Sequence, residues 1–396
     1  MKIKHISVFM PSESAFHRRI FRVLSDAFVK QGLTVSGQCK LLAESEMRTW
    51  VIEKKPSVIF EMNRVKDEIP ILHELNIIHV TWIVDMEGRD ESHIKGSDIT
   101  YTFDPGWVLS FNTGGFTTWL PPGTCTQTFY PIPSFKTKEF EFSFIGHIPR
   151  PWSDAELSRL LIGPNKTVTF NKLITEYLDF INIETYREKD HQACVEIING
   201  ILEDLLGEAI ALPRDMLYDL LIRAKRMRNR TELLSFALRK SDSTVIYGSS
   251  NWLQWSEYAK FYRKFVDKEA EINLIHQQSK INLHDGVGFH FRAIDCLASG
   301  GLLFWYNDNE GDKYETYQFK NLDRSKILSN GLHDFFEDQY NYFEFKWLNF
   351  DDVYEKARLV SCQNQKALSD TVKLVQNHHT WHCRVRQILA DISQFS

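Results

Sequence analysis

The chain has 396 residues, enough for two domains of ordinary size, and its 43% hydrophobic and 25% charged residues are typical of a globular protein. The formal net charge of −5 argues against general nucleic-acid binding. No apolar run approaches the roughly 18 residues that a membrane-spanning helix needs, which leaves only peripheral membrane contact open. The six scattered cysteines form no CxxC pair, so we expect free thiols, no structural zinc and a cytoplasmic location.

The first part of the chain alternates between strand-like and helix-like segments. "HISVFM" (5–10) predicts a strand, "PSES" a turn, and the amphipathic "AFHRRIFRVLSDAFVKQG" a helix that ends at Gly32. Further strands are predicted at "LTVSGQC", "PSVIFEMN", "LNIIHVTWIVD", "SDITYTFD" and "FTTWLPPG". This alternation is typical of an α/β domain with a mostly parallel sheet. The proline-rich "FYPIPSFKTKEF" (129–140) predicts an interdomain linker.

The second part resumes the alternation after a mainly helical stretch. "FEFSFIGHIPRPW" (140–152) predicts a strand and a glycine turn, and residues 152–240 predict helices, which we interpret as a helical insertion. Strands return at "STVIYGSSNW", "SKINLHD", "LLFWY", "KILSN" and "YFEFKWLNF", and the last roughly 30 residues show one long helical pattern. We therefore expect a first domain over residues 1–135, a second over 136–375, and a C-terminal helix over 376–396 that packs back toward the first domain.

The stretch "GFHFRAIDCLASGGLLFWY", from Gly288 to Tyr306, is the most informative part of the sequence. Apolar residues recur at helical spacing up to Ser-Gly-Gly, which predicts a helix with a glycine cap, and "LLFWY" then predicts a strand buried on both faces. In an α/β fold the N-terminus of such a helix faces a ligand crevice and offers backbone N–H groups to an anion. Arg292 and Asp295 lie near this helix start, as part of either a nucleotide-sugar site or a surface ion pair.

The order of motifs in the second half resembles that of a known enzyme family. The segments are "FEFSFIGHIPR", "VIYGSSNW", "SKINLHDGVGFHFRAIDCLASGGLLF", "HDFFEDQYNYFEFKWLNFDDVYEKARLV" and "HHTWHCRVRQIL". This running order, with "WLPPGTCTQTFYP" at the end of the first domain, is similar to that of CgeB-like glycosyltransferases, distant relatives of glycosyltransferase family 4. The resemblance implies an α/β protein of the GT-B type, with two Rossmann-like domains facing each other across a cleft. It also implies that the nucleotide-sugar donor binds mainly to the second domain and the acceptor mainly to the first.

Family 4 enzymes commonly carry two glutamates eight residues apart around a Gly-Phe pair, and this sequence resembles that pattern in part. Gly288 and Phe289, with His290 beside them, match the pair and are implied as donor-binding residues. Asp295 stands in place of the second glutamate, which usually holds the donor ribose, and a carboxylate can accept hydrogen bonds from the ribose hydroxyls. Val287 stands in place of the first glutamate, so the acid near the transferred sugar is missing.

Further donor contacts are expected at four places. Arg292 matches the arginine typical of the CgeB-like branch, and a guanidinium suits a diphosphate leaving group. Arg150 matches the position where related enzymes keep a diphosphate-binding basic residue. Gly248 and Ser249 follow a strand, and such a turn either binds phosphate through its backbone N–H groups or is a plain loop. Lys280, just before "INLH", is either a phosphate contact or the solvated start of a strand.

Two acids of the first domain are candidates for catalysis. Asp85 ends the apolar strand "IIHVTWIVD", at the edge where ligands bind in open α/β sheets. A carboxylate there would act as general base on an acceptor hydroxyl, and Glu13, in the "PSES" crossover, is the second choice for this role. The alternative for Asp85 is a helix-capping or turn acid, whereas for "PSES" the interpretation we favour is that Ser14 or Ser12 caps the following helix.

The sequence thus predicts a glycosyltransferase that moves a sugar from a nucleotide-sugar donor to a glycan, lipid-linked or protein acceptor. We expect no cofactor and no bound metal, because arginine, lysine and helix dipoles would neutralise the leaving diphosphate. Neither GxGxxG nor GxxxxGK[ST] occurs, so dehydrogenase and P-loop interpretations lack their fingerprint. Two alternatives stay open: a sugar-nucleotide epimerase of the GT-B type, and a catalytically inactive nucleotide-sugar-binding or scaffold subunit, which the missing glutamate favours.

Overall fold

The computed structural model describes residues 3–85, 91–105, 107–110, 112–133, 138–183, 191–307, 331–346, 349–363 and 365–395. Within these residues the chain forms two larger parallel sheets with helices packed against them, and the strands of the first sheet precede those of the second. This is the two-domain α/β architecture that the sequence predicted. In each parallel sheet the carboxyl ends of the strands lie at one edge, where ligands bind in folds of this class.

The first sheet contains six described strands: β1 (His5–Phe9), β2 (Thr34–Gln38), β3 (Val58–Met62), β4 (Ile78–Ile83), β5 (Ile99–Thr102) and β6 (Phe116–Trp119). They lie in the order β2-β1-β3-β4-β5-β6, and every neighbouring pair is parallel. β3 and β4 are almost wholly buried, as expected for short apolar strands covered on both faces. The helices described between the strands are α1 (Ala15–Lys30), α2 (Glu44–Lys54), α3 (Ile71–Glu74) and α4 (Trp107–Ser110).

The bounds and packing of α1 follow directly from its local sequence. Ser14 caps this helix, since its side-chain oxygen accepts a hydrogen bond from the backbone N–H of His17 at 3.2 Å. Its buried residues recur at helical spacing, so that one face packs on the sheet: Ile20, Val23, Leu24, Ala27 and Phe28. The chain leaves the helix through Gly32, whose φ of 83° is left-handed. The serine-cap interpretation of "PSES" is therefore confirmed.

The second sheet contains five described strands: β7 (Phe140–Ile145), β10 (Thr244–Tyr247), β11 (Ser279–Asp285), β12 (Leu303–Tyr306) and β13 (Phe343–Phe345). They lie in the order β10-β7-β11-β12-β13, again with parallel pairing throughout. A separate antiparallel pair is formed by β8 (Leu160–Ile162) and β9 (Thr167–Thr169). The strand predicted at "KILSN" lies outside the described residues.

The segment between β7 and β10 is mainly helical. Its described helices are α5 (Asp154–Leu157), α6 (Phe170–Ile183), α7 (His191–Leu206), α8 (Arg214–Tyr218) and α9 (Lys225–Lys240), with a π-helical turn at Asp219–Ala224 between the last two. The segment has an apolar cluster of its own, which β8 and β9 help to cover. No pattern in the sequence predicted this antiparallel pair. The interpretation of this helical segment as an insertion stays a prediction.

The chain ends in helices that pack on both domains. The remaining helices are α10 (Glu269–Gln278), α11 (Phe291–Ala298), α12 (Phe350–Gln363), α13 (Gln365–His378) and α14 (Trp381–Phe395). The sequence showed one long helical pattern here, but the structure divides α13 from α14 at His379 and Thr380, where Thr380 bridges to Thr124 of the first domain. α13 packs against α11, whereas α14 packs against α1 and adds apolar side chains to the first core. The domain boundaries predicted from the sequence stay predictions.

The two domains meet where the carboxyl edges of their sheets face each other. Phe291, at the start of α11, packs into the core of the first domain. The centroid of its ring lies 5.7 Å from that of Trp82 on β4, and it stacks at 5.3 Å on Phe103, which follows β5. β4 and β5 end at this edge of the first sheet, and α11 begins just after β11 ends in the second. The junction therefore brings together candidate residues from both domains.

Candidate active site

The N-terminus of α11 is fixed at the carboxyl edge of the second sheet by two glycines and a histidine cap. Gly286, just after β11, has a left-handed φ of 81°, which favours glycine. A Cβ atom on Gly288 would lie only 2.8 Å from the indole ring of Trp305, so a side chain has no space there. His290 caps the helix through its Nδ1 atom, which accepts from the backbone N–H of Arg292 at 3.2 Å. The helix start that the sequence predicted is confirmed.

Three arginines, which we call the arginine cluster, converge at this edge: Arg226 and Arg230 on α9 and Arg292 on α11. The Nε of Arg230 donates to Oδ2 of Asp285 at 2.9 Å, and Nη2 of Arg292 lies 3.9 Å from Oδ1 of the same carboxylate. Nη1 of Arg292 donates to the carbonyl of Ile145, at the end of β7, at 2.7 Å. Burial, then the Arg230 charge and, more weakly, the Arg226 charge lower the pKa of Arg292 to about 10, so both neighbouring arginines act on Arg292.

The arginine cluster sets the protonation state of the groups around it. Burial opposes the ionisation of Asp285, but the charges of Arg230 and Arg292 outweigh it and lower its pKa to about 2. Burial and then the Arg292 charge lower the pKa of His284 to about 3 and hold the pKa of His290 well below its usual value. At neutral pH this edge therefore combines neutral histidines, one carboxylate and the guanidinium groups, an arrangement that suits a bound anion.

The site residues predicted from the sequence included Arg292 but neither Arg226 nor Arg230. The available signal was their spacing, because residues four apart share one face of a helix. The basic stretch "RAKRMRNR" (223–230) predicts either a solvated helix face or a surface that steers an anionic donor, lipid or acceptor, and its spacing alone does not single out these two residues. The π-helical turn just before α9 is a second signal, since such turns are frequent at functional sites, but it is visible only in the structure.

Asp295 and Phe289 are occupied by contacts between the domains. Oδ2 of Asp295 accepts from Nη2 of Arg19 on α1 at 2.6 Å, and its Oδ1 accepts from the Thr124 hydroxyl at 2.7 Å. Burial raises the pKa of Asp295, although Arg19 and Thr124 oppose that shift. Phe289 is fully buried, with its ring centroid 5.5 Å from that of Trp119 on β6. In this structure neither side chain is open to a ligand, and their donor-binding roles stay predictions.

The Gly248–Ser249 turn lies at the same edge as the arginine cluster. Gly248 has a φ of 149°, and a Cβ atom there would lie 1.9 Å from the carbonyl oxygen of Gly146, so only glycine fits. The Ser249 hydroxyl reaches the Ile148 carbonyl at 3.4 Å. The loop that this turn contacts also accepts a hydrogen bond from Arg230, through the carbonyl of His147. The turn therefore supports the loop beside the arginine cluster, and its role in phosphate binding stays a prediction.

Lys280 and Arg150 are engaged elsewhere. Lys280 lies near the start of β11, and its Nζ pairs with Oε2 of Glu141 at 2.7 Å. Five residues of extended strand, about 17 Å, separate it from the end of β11, which agrees with the alternative of a solvated strand start, and a phosphate contact of Lys280 stays a prediction. Arg150 makes two hydrogen bonds with the Glu156 carboxylate, at 2.7 and 2.9 Å, and this pair lies at the start of α5.

The predicted acids of the first domain lie at the facing edge. Asp85 is exposed just beyond β4, and Asn63 holds its loop: Oδ1 of Asn63 accepts from the Asp85 N–H at 3.1 Å, and Nδ2 donates to Oδ2 of Asp85 at 3.1 Å. Burial lowers the pKa of His17, on the first turn of α1, and the nearby charge of Asp85 opposes this shift. Nδ1 of His17 lies 2.7 Å from the Ser12 hydroxyl. Glu13 is exposed in the same crossover. Asp85 and His17 thus form an electrostatically coupled pair.

Two further kinds of feature are absent from the described residues. No group of three or more His, Cys, Asp or Glu side chains within them is arranged to hold a metal ion. No helix in the described part of the chain is long and apolar enough to cross a membrane. Metal independence of any activity stays a prediction.

Comparison with solved structures identifies the fold. Sucrose-phosphate synthase from Thermosynechococcus elongatus is similar over 99% of this chain and 98% of its own, with a TM-score of 0.52 at 10% sequence identity. The Anabaena HepE structure, solved in complex with UDP, is similar over 99% of this chain and 100% of its own, with a TM-score of 0.47 at 8% identity. Through the similarity to sucrose-phosphate synthase, the two parallel-sheet domains are those of the GT-B fold, as predicted. No family model and no curated protein sequence matches the chain.

Proposed function

We propose that this chain is a glycosyltransferase that binds a nucleotide-sugar donor at the carboxyl edge of its second sheet. One observation carries this proposal: the guanidinium groups of Arg226, Arg230 and Arg292 converge beside the N-terminus of α11. Guanidinium groups bind diphosphate oxygens through charge-assisted hydrogen bonds, and the N–H groups of the helix start add to the attraction. In a GT-B fold, the carboxyl edge of the second sheet faces the first domain.

The proposed chemistry follows from where charge develops during sugar transfer. As the bond between the sugar and the diphosphate breaks, negative charge grows on the leaving oxygen, and fixed positive groups lower the free energy of that state. Arg292 and Arg230 are our choice for this role, without a metal ion. Asp285 holds their side chains in place and, with its lowered pKa, stays ionised while doing so.

The acceptor is assigned to the first domain in this proposal. An acceptor hydroxyl must lose its proton as the new glycosidic bond forms, and a carboxylate within hydrogen-bond reach can take it. Asp85 is the first choice for this base and Glu13 the second, because both are exposed at the edge that faces α11. A glycan, a lipid-linked sugar or a protein side chain would each supply such a hydroxyl.

A second candidate function is a nucleotide-sugar-binding subunit without transferase activity. The observation that favours it is the state of the two family 4 acid positions: Val287 carries no acid, and both oxygens of Asp295 bind first-domain groups. A chain of this kind would bind the donor and leave it intact. Slow hydrolysis of the donor without an acceptor would contradict this candidate.

The test is a binding and turnover screen with UDP-, GDP-, ADP- and CMP-sugars. We expect one nucleotide class to bind, and Arg230→Gln and Arg292→Gln each to weaken that binding, since losing a charge-assisted hydrogen bond costs about 1.5–3 kcal/mol. Lys280→Gln, at the opposite edge of the sheet, is the matched control and should bind normally. Unchanged affinity in both arginine variants would reject the proposed site, and the absence of binding to all four classes would reject the function.

A further inference from the structure

Two buried nitrogen atoms behind the arginine cluster have no hydrogen-bond partner among the described residues. They are Nε2 of His276, on α10, and Nε of Arg292, on α11. Both residues line one small cavity between α11 and the second sheet, together with Ser143 and Asn282. The cavity has about the size of a single water molecule. An unpaired buried polar atom is costly, so two of them on side chains that line one small cavity call for a shared partner.

The hydrogen bonds of Asn282 determine which nitrogen of His276 carries the proton. Nδ2 of Asn282 donates to the carbonyls of His276 and Leu302, at 3.1 and 3.4 Å, and a carbonyl can only accept. Its Oδ1 atom is therefore the acceptor, both for the Ser143 hydroxyl and for Nδ1 of His276, each at 3.0 Å. This places the proton of a neutral His276 on Nδ1 and leaves a lone pair on Nε2.

His276 stays neutral at physiological pH. It is 3% exposed, and burial lowers its pKa to about 4, with the charges of Arg19 and Arg292 contributing in the same direction. Nε2 is then an acceptor without a donor, whereas Nε of Arg292 is always a donor without an acceptor. Two such atoms are satisfied together by one molecule that accepts from the arginine and donates to the histidine.

We propose that a single ordered water molecule binds in this cavity and joins Arg292 to His276. The water accepts a hydrogen bond from Nε of Arg292 and donates one to Nε2 of His276. Its second proton is directed at the Ser143 hydroxyl oxygen, which already uses its own proton on Asn282. Three hydrogen bonds of this kind are the usual number for a water inside a protein.

His276 is then a positioning residue for Arg292. Nη1 of Arg292 is held by the Ile145 carbonyl, and the water would hold Nε, so that the plane of the guanidinium group is fixed from two sides. Nη2 is left facing Asp285 and the open edge. The claim that this orientation serves diphosphate binding depends on the proposed function. The water site itself does not depend on it.

The water site is tested first on the unliganded wild-type protein. A crystal structure at high resolution should show density at hydrogen-bonding distance, about 2.7–3.2 Å, from both Nε2 of His276 and Nε of Arg292. Nitrogen NMR should show His276 protonated on Nδ1. A direct contact between the two side chains, a cavity without density, or a proton on Nε2 would overturn the proposal.

The positioning role is tested with His276→Phe, which removes the acceptor and keeps a ring of similar width. Hydrogen exchange at Nε of Arg292 should become about three- to tenfold faster, the change expected for one lost hydrogen bond. His379→Phe is the matched control, because His379 is also buried with an unpartnered Nε2 atom but does not line this cavity. Equal exchange in both variants would overturn the role. If His276→Phe does not fold, wild-type density without a water that contacts both side chains would overturn the role as well.

The same two variants separate this inference from the proposed function. Wild-type protein and both variants are titrated with UDP as the probe. A three- to tenfold loss of UDP affinity in His276→Phe, and none in His379→Phe, supports positioning for anion binding. If His276→Phe binds UDP as tightly as the wild type, the claim that His276 positions Arg292 for anion binding is overturned. If the wild type binds no nucleotide at all, the proposed function fails, while the crystal density and the NMR still decide the water site.

Discussion

The histidines around the arginine cluster stay neutral through the physiological range, and this predicts how binding depends on pH. The pKa values of His284 and His276 are lowered to about 3 and about 4, burial being the main cause, and that of His290 lies well below its usual value. As pH falls from about 8 to about 5.5, none of them gains a proton, although free histidine would. We expect the affinity for a nucleotide sugar to change by less than about threefold over this range. Calorimetric titration measures it, and a tenfold gain at low pH would show that one of these histidines titrates there.

Asp85 is the residue on which the proposed acceptor chemistry depends. Asp85→Asn keeps the size of the side chain and an oxygen that can accept from Asn63, but it cannot take a proton. We expect kcat to fall by about 10²–10⁴-fold, the usual effect of losing a general base, with donor affinity nearly unchanged. Steady-state kinetics and a donor titration measure the two quantities.

Glu13→Gln is the comparison variant for Asp85→Asn, since Glu13 is exposed at the same edge. A normal kcat in Asp85→Asn together with a large loss in Glu13→Gln would move the base to Glu13. Normal turnover in both variants would exclude these two acids from proton transfer.

At the scale of elements, the turn after β10 depends on a glycine. Gly248 has a backbone φ that side chains rarely adopt, and a Cβ atom would contact the Gly146 carbonyl at 1.9 Å. Gly248→Ala must therefore move the loop that accepts a hydrogen bond from Arg230. We expect the free energy of unfolding to fall by about 1–3 kcal/mol or more, as measured by urea denaturation. Nucleotide affinity should fall as well, because Arg230 loses its support.

Gly200 provides the matched control for this substitution. It lies in α7, and apart from its chain neighbours and the backbone of its own helix, no described atom lies within 4 Å of the position of its missing Cβ. Gly200→Ala should be neutral or stabilise the protein by up to about 1 kcal/mol, since alanine favours helices more than glycine does. A Gly248→Ala protein as stable as Gly200→Ala would show that the turn is not constrained.

The elements that sequence reasoning predicted well are those with a strong local signal. β4 and β12 are continuous apolar runs, and α11 combines helical spacing with a glycine cap, so their type follows from the residues themselves. The division between α13 and α14 was not predicted, because the helical pattern continues across it. That break is fixed by a contact distant in sequence, the bridge from Thr380 to Thr124.

At the scale of the whole molecule, Arg19 joins the two domains. Its guanidinium group lies 2.6 Å from Asp295 and 3.1 Å from Glu269, both in the second domain. Breaking a buried pair on one side leaves the other charge without its partner, at a cost of about 3–5 kcal/mol. We expect Arg19→Ala to loosen the junction between the domains, seen as a larger radius of gyration in X-ray scattering and a lower free energy of unfolding.

Arg22 is the control for Arg19, because it lies on the same helix and pairs with the same Glu269 carboxylate at 2.7 Å. Its side chain is 54% exposed, compared with 12% for Arg19. Exposed pairs contribute little, so Arg22→Ala should change stability by less than about 1 kcal/mol and leave the scattering unchanged. Equal behaviour of the two variants would show that the Arg19 contacts do not hold the domains together.

The candidate site could be predicted from the sequence only where its residues are close along the chain. Arg292 was found because it lies beside the helix start that Gly288 marks. Arg226 and Arg230 reach the same edge from α9, more than 60 residues earlier, through packing that no local pattern encodes. The reverse holds for Lys280: its strand was predicted correctly, but its place at the start of that strand points it to the opposite edge.

The central claim is that the donor diphosphate binds at the carboxyl edge of the second sheet. The most direct measurement is a crystal structure of the protein with the nucleotide sugar that binds best in the screen. We predict diphosphate oxygens within about 2.7–3.2 Å of guanidinium nitrogens of the arginine cluster, and near the N-terminus of α11. A diphosphate bound at any other place, with Arg226, Arg230 and Arg292 making no contact to it, would contradict the account.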